Sequence, residues 1–118
     1  MRNSAAFPKR GEVWLVNFNP GRGSEQRGIR PAVIIQNDVG NEFSSTTIVA
    51  AITKTIKIYP VTVSLPKGSC GLDFDSMMNL AQLLTIDTSR MVKRLGTLNA
   101  HQLAETDGGL QTSLGLQE

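Results

Sequence analysis

Apolar positions fall along this chain in short blocks, each closed by turn-forming residues, and the blocks read as strands. Gly11 to Phe18 is rich in strand formers, with Val13, Trp14, Val16 and Phe18 among them. Asn19-Pro20-Gly21 ends that block as a turn. Pro31 to Gln36 is almost wholly apolar, which predicts a strand covered on both faces. Thr46 to Thr53 is a second strand of this kind. Tyr59 to Leu65 alternates cleanly, with Val61, Val63 and Leu65 on one face and Thr62 and Ser64 on the other. Ser76 to Leu84 predicts a strand long enough to carry a bulge, and Met91 to Leu98 a last strand.

The segments between them read differently. Residues 1–8 form a loose arm ended by Pro8, and residues 9–118 form one domain. Residues 21–30 make a long hairpin loop. Asn37 to Ser45 is a connection with one helical turn, and Thr85 to Ser89 reads as a short helix start. Asn99 opens a C-terminal helix, with Gln102 three residues on as in a capping box. Leu103, Leu110 and Leu114 supply its apolar face. Gly108-Gly109 predicts a kink or break, since each glycine costs about 1 kcal/mol relative to alanine. Short strands closed by one helix predict a mainly β, α+β fold: a small SH3-like, partly open β-barrel with short helices.

Composition narrows the function. A hydrophobic share of 40% in 118 residues suits one globular domain with one modest core. The longest apolar runs, such as Ile48 to Ile52, are far too short to cross a bilayer. No apolar stretch follows Met1-Arg2-Asn3, so a cytoplasmic location without membrane attachment is expected. One cysteine, Cys70, excludes an internal disulfide framework, and its flanks Gly68 and Gly71 predict a turn. The net charge is only +2, but residues 1–59 hold eight Lys or Arg against four Asp or Glu. That excess sits with the polar loop, which suits local phosphate contact rather than a polycationic surface.

Several chemistries lack their residues. There is no Cys/His cluster for zinc, no Gly-Lys-Ser/Thr phosphate loop and no cluster of carboxylates for a metal, so no cofactor is expected. The single histidine, His101, lies in the C-terminal helix and reads as solvated. Ribonuclease chemistry with two histidines is therefore impossible within one chain. What remains is polar residues bracketing two buried strands. Ser24, Glu25, Gln26 and Arg27 precede the second strand, Arg30 stands at its entrance and Asn37 at its exit. Thr53, Lys54 and Thr55 close the third. If these strands pair, Arg30 and Thr53 meet at one rim, where an arginine under a polar loop suits a phosphate. On the residues alone, Arg30 paired to a carboxylate and Thr53 as an ordinary strand residue fit equally well.

The motifs go further. Lys9-Arg10-Gly11-Glu12-Val13-Trp14, then Gly23-Ser24-Glu25-Gln26 to Arg30-Pro31, then Ile35-Gln36-Asn37-Asp38, then Thr47 to Thr53 occur in order. Asp75-Ser76 and Gln82-Leu83-Leu84-Thr85-Ile86-Asp87 extend the set. The chain after residue 8 resembles the MazF/PemK toxin family, with its CcdB/MazF-like fold. The resemblance implies a metal-independent endoribonuclease, an mRNA interferase cutting single-stranded RNA at short sequences. It implies a homodimer and an antitoxin that wraps it. The family's catalytic arginine falls on Arg30 and its catalytic Ser/Thr on Thr53. Its RNA-contacting loop falls on Ser24, Glu25 and Gln26, with Arg27 beside them, and its base-contacting asparagine on Asn37.

The chemistry suits these assignments. RNA is cut without metal when its own 2′-OH attacks the adjacent phosphate, and an arginine fork matches the charge of the five-coordinate phosphorane. Thr53 would donate to a phosphoryl oxygen or relay a proton. Glu25 is the nearby carboxylate available as general base. Gln26, Asn37 and Ser24 would read splayed bases. Arg22, Arg27, Arg30, Lys54 and Lys57 would line a basic groove in the dimer, where an acidic, flexible antitoxin segment would also lie. Many relatives carry Glu and Arg where this chain has Ala81 and Leu84, so charged contacts made there are absent. Two other readings compete: a gyrase-poisoning toxin of the same fold, and a barrel that binds RNA without cutting. The former relies on a C-terminal Trp-Gly segment, whereas the only tryptophan here is Trp14.

Overall fold

The computed structural model describes residues 7–19, 28–56 and 61–116. Its strands are β1 (Glu12–Asn17), β2 (Ile29–Ile34), β3 (Thr46–Thr53), β4 (Thr62–Leu65), β5 (Ser76–Asp87) and β6 (Met91–Thr97). Two α-helices, α1 (Asp38–Phe43) and α2 (Ala100–Leu114), and a 3₁₀ turn at Thr88–Arg90 complete the described elements. The strands form one antiparallel sheet in the order β4-β5-β3-β2-β1-β6. This is the mainly β, partly open barrel that the hydrophobic pattern predicts.

Both faces of the central strands are covered, as the apolar runs require. Val13, Val33, Ala50, Ile52, Met78 and Leu80 belong to one buried cluster, on which Leu103 and Leu110 of α2 also pack. Val16, Ala32, Ile34, Val49 and Ile86 belong to a second. Alternation along β2 and β3 sends neighbouring residues to opposite clusters. Val63 and Leu65 are buried on the face that the sequence assigns them.

The sheet curls because of a bulge in β5. Ala50 of β3 pairs with Leu83, but the next residue, Ala51, pairs with Asn79. The intervening residues bend β5, as bulges do. Asn79 steadies the bend by accepting the Ala81 N–H at 2.9 Å, and Ser113 of α2 donates to the Leu80 carbonyl at 2.8 Å. Curling brings the turn after β4 onto β6, at the opposite edge of the sheet. There backbone rests on backbone: a Cβ at Gly71 would lie 2.1 Å from the Leu95 carbonyl oxygen, and one at Gly96 2.5 Å from the Cys70 carbonyl carbon.

Four expectations need correction. β5 runs on to Asp87 where a helix start was expected at Thr85, because Thr46, Thr47 and Ile48 pair with Asp87, Ile86 and Thr85. The helical turn comes later, at Thr88, capped by Asp87 accepting the Ser89 N–H at 2.9 Å. That hydrogen bond is the leading cause holding the Asp87 carboxyl below its usual pKa. Second, α2 passes through Gly108-Gly109 without a break. Packing outweighs propensity there, since Thr106 and Gly109 are buried and Ser113 is tied to the bulge. Third, Leu114 is 55% exposed, and the helix instead buries Gln102, Thr106 and Gly109. Fourth, Phe7 and Pro8, assigned to a loose arm, are buried. The rest of that arm, residues 1–6, lies outside the described residues.

The capping box of α2 forms as its sequence predicts. Asn99 accepts the Gln102 N–H at 2.8 Å, and the Gln102 side chain accepts the Asn99 N–H at 3.0 Å.

The two classes of glycine give a test. Gly96→Ala should lose about 2 kcal/mol or more, since a methyl group there must displace backbone. Gly108, with nothing within 4 Å of its Cβ position, should gain stability on Gly108→Ala, by about 0.5–1 kcal/mol. Urea unfolding of both variants measures this. A Gly96→Ala protein as stable as wild type would show that the β4–β6 crossing is not a tight contact.

Candidate functional site

Pro31 organises the site. It lacks an amide hydrogen and cannot donate to a ladder. The β2–β3 pairing runs from Ile34↔Val49 through Ala32↔Ala51 and ends there, one residue short of Pro31. Beyond that point β2 is paired only with β1, and β3 only with β5. Continued in the same register, Arg30 faces Thr53 across the open strand ends. Both line a cleft of about 290 Å³.

The cleft has a simple build. Arg30, Pro31, Thr53 and Lys54 line it together with Leu72, Asp73, Phe74 and Ser76. Leu15, Ile52 and Leu95 provide apolar lining. Thr53 is half-buried at the end of β3, and its hydroxyl oxygen accepts the Thr55 N–H at 3.1 Å. That bond orients the hydroxyl and leaves its hydrogen to donate elsewhere. Lys54 holds its ammonium 4.2 Å from the centre of the Phe74 ring. Residues that carry a guanidinium, a hydroxyl and an ammonium thus line one small cleft, a set suited to a phosphate.

Asn37 is placed elsewhere. It lies beyond the far end of β2, seven residues from Arg30, or about 20 Å along extended chain. It is exposed, and its side-chain oxygen caps α1 by accepting the Gly40 N–H at 2.8 Å. Ser24, Glu25, Gln26 and Arg27 lie outside the described residues, as do Arg22 and Lys57 of the expected basic groove. The residues that sequence reasoning missed are Leu72, Asp73 and Phe74. They sit after a turn with no chemical signature, and the pairing of Met77 with Thr53 sets them beside the end of β3.

Several motif residues prove to be scaffold. Arg10 donates from Nε to the Ile35 carbonyl at 2.9 Å and forms an ion pair with Asp107 of α2 at 2.7 Å. Gly11, at φ +91°, links β2 to the start of α2: its N–H donates to Ile34, and its carbonyl accepts from Leu98. Gln36 and Asn41 close a polar knot under α1. Gln36 Nε2 donates to Asn41 Oδ1 at 3.0 Å, Asn41 Nδ2 to the Gln36 carbonyl at 3.0 Å, and Thr47 Oγ1 to Asn41 Oδ1 at 2.7 Å. Asn41 and Thr47 are fully buried. Of the two departures from the family pattern, Ala81 lies exposed in the β5 bulge and Leu84 packs against the second cluster.

The remaining single residues behave as expected. Cys70 sits in a turn, at φ +45°, and burial pushes its thiol pKa up, partly offset by the Ser69 hydroxyl. A raised pKa makes the thiol less reactive. His101 is exposed and lies 3.6 Å from Glu105 one helical turn on. Among the described residues no three His, Cys, Asp or Glu are grouped to hold a metal. Among the described residues no helix is long and apolar enough to cross a membrane.

Known proteins share this architecture. The endoribonuclease MazF of Staphylococcus epidermidis is 47% identical over 111 residues, covering 92% of each chain. The crystal structure of MazF from Deinococcus radiodurans matches with a TM-score of 0.77 at 31% identity, over 93% of this chain and 98% of that one. A MazE–MazF structure from the same organism matches with a TM-score of 0.74 at 28% identity, over 94% and 98% of the two chains. The family model of PemK-like, MazF-like toxins of type II toxin–antitoxin systems matches residues 9–114. A match over that span, with near-half identity to one relative and a common fold with another, means that the chain belongs to the PemK-like, MazF-like toxin family.

Proposed function

We propose that this protein is an endoribonuclease toxin that cuts single-stranded RNA in the cleft shared by Arg30 and Thr53. The observation that carries the reading is the β2–β3 register, which ends so that Arg30 and Thr53 stand opposite each other at the open strand ends and line one cleft. The endoribonuclease name of the staphylococcal relative supports it. The gyrase-poisoning alternative is not favoured: Trp14, the only tryptophan, lies in β1 and donates to Glu12 at 2.9 Å.

The chemistry follows from the donor set. The 2′-OH of the substrate loses its proton and attacks the adjacent phosphorus, and the P–O5′ bond breaks as the 5′-oxygen gains a proton. The products are a 2′,3′-cyclic phosphate and a 5′-hydroxyl. Arg30 meets the extra charge of the phosphorane, which exists only near the transition state, so its bonds lower the barrier more than they tighten binding. Thr53 donates to a non-bridging oxygen. Glu25 remains the nominated base, and Asp73 is the carboxylate that the described residues place in the cleft. Ser24, Gln26 and Arg27 supply base and phosphate contacts at the cleft, and Asn37, at the other end of β2, contacts a base farther along the RNA strand. The protein acts as a cytoplasmic homodimer and is held silent by an antitoxin whose acidic, flexible segment lies in the RNA groove. The MazE–MazF assembly of the Deinococcus relative supports that partnership.

Cleavage should persist in EDTA and leave 5′-hydroxyl ends, measured by mapping new ends on a long RNA. A strict magnesium requirement, or 5′-phosphate products, would refute this chemistry.

Arg30→Ala should slow cleavage about a hundredfold or more while the fold persists, a loss of about 3 kcal/mol of transition-state stabilisation. Arg30→Lys should restore only part, having lost the fork. Thr53→Val should be similarly impaired, whereas Thr97→Val, an exposed threonine at the end of β6, should be near wild type. More than a tenth of wild-type activity in Arg30→Ala would remove it from the mechanism.

RNA and an acidic antitoxin segment should compete for the dimer, and RNA affinity should fall as salt rises. Titrating one against the other by fluorescence anisotropy measures this. Simultaneous binding without mutual weakening would contradict occlusion.

A further inference from the structure

Phe74 is an aromatic side chain that the fold leaves uncovered. Phe74 is 58% exposed, although a large apolar residue is ordinarily buried. It stands in the wall of the Arg30–Thr53 cleft. Its position is braced from several sides. Ser76, itself buried, donates its hydroxyl to the Phe74 carbonyl at 2.9 Å. Asp75 accepts the Lys67 N–H at 2.8 Å and pins the bend to the turn after β4. The Lys54 ammonium lies over the ring at 4.2 Å. Lys54 directly follows Thr53, so the ring is tethered to the strand end that carries the proposed catalytic hydroxyl.

An exposed ring held beside a phosphate-sized cleft is what single-stranded nucleic acid uses as a stacking surface. Every base has a π-face, so such a surface accepts any base that is unpaired and unstacked. A base in a duplex cannot reach it. A cation against the ring adds attraction for the neighbouring phosphate and restrains the ring's rotation.

We infer that Phe74, braced by Lys54, is the stacking platform for a base flanking the cleaved phosphate, and that it selects single-stranded RNA by requiring a splayed base rather than a particular one. This rests on the endoribonuclease reading. It assigns to Phe74 binding without chemistry: the ring holds the flanking nucleotide so that the phosphate meets Arg30 and Thr53.

The test couples a protein change to an RNA change. Wild type and Phe74→Ala are compared on a mapped single-stranded site and on the same RNA with the flanking base removed, one position at a time. Wild type should bind the intact site about tenfold or more tightly than the RNA abasic at the stacked position. Phe74→Ala should bind both about equally, with a raised KM and a near-normal kcat on saturating RNA. Phe74→Trp should restore the wild-type KM, and its fluorescence should be quenched by an uncleavable RNA carrying a 2′-deoxy sugar at the cleaved position. The sequence read at the cut site should not change. If Phe74→Ala retains the wild-type preference for the intact base at every position, stacking is refuted while RNA cleavage stands. Loss of antitoxin binding alone, with RNA kinetics unchanged, overturns it too and makes Phe74 a protein anchor. Failure of wild type to cut any RNA refutes the enzyme reading itself. If Phe74→Ala unfolds, Phe74→Tyr and Phe74→Leu replace it: the ring should keep the wild-type KM and the aliphatic chain should not.

Discussion

The missing amide hydrogen of Pro31 is the constraint on which the cleft depends. A strand in the middle of a sheet normally pairs on both sides along its whole length. Here β2 sheds β3 just before the proline, and the two strand ends part. The proposed chemistry gathers in that gap. Arg30 sits one residue before the proline, and Thr53 sits two residues beyond the last paired position of β3. A residue able to donate at position 31 would let the ladder continue, and the gap would narrow.

The family motifs divide between two duties that sequence alone does not separate. The Lys9-Arg10-Gly11 start and the Gln36-Asn37-Asp38 segment look like polar chemistry, yet the structure uses most of them to hold elements together. Arg10 ties β2 to α2. Asn41, caught between Gln36 and Thr47, anchors the short helix α1, which at six residues has little stability of its own. The buried amide and hydroxyl satisfy one another, so the knot carries no unpaired polar atom. Polar residues thus specify the scaffold as firmly as the apolar clusters do.

Much of the fold was legible in the order of residues. Strand positions followed from alternation and from runs of Val, Ile and Ala, and the α2 cap followed from Asn99 and Gln102. The meeting of Arg30 and Thr53 at one rim was legible only on the condition that the second and third strands pair, which they do as far as Ala32 and Ala51. Less legible was anything set by competition between local preference and packing. Thr85 to Asp87 favours a turn locally but is held by the β3 ladder. Gly108-Gly109 weakens a helix locally but is clamped by Thr106 and Ser113. The partners of Thr53 across the cleft were hidden for another reason. Residues 72–76 come beside the end of β3 through the pairing of Met77 with Thr53, a long-range contact whose register no short motif records.

The contact of Gly71 with β6 also bears on how relatives of this protein diverge. Where Gly71 lies on Leu95 and Gly96 on Cys70, main chain meets main chain, and the two glycines bring no side chain to be enlarged, shrunk or recharged. Mutation therefore has little purchase on that wall of the cleft. Diversification is channelled to the rim, where Lys54, Asp73 and Phe74 project and exchange costs the fold little. A lineage that acquires a new RNA preference would keep the inner wall and rewrite the lip.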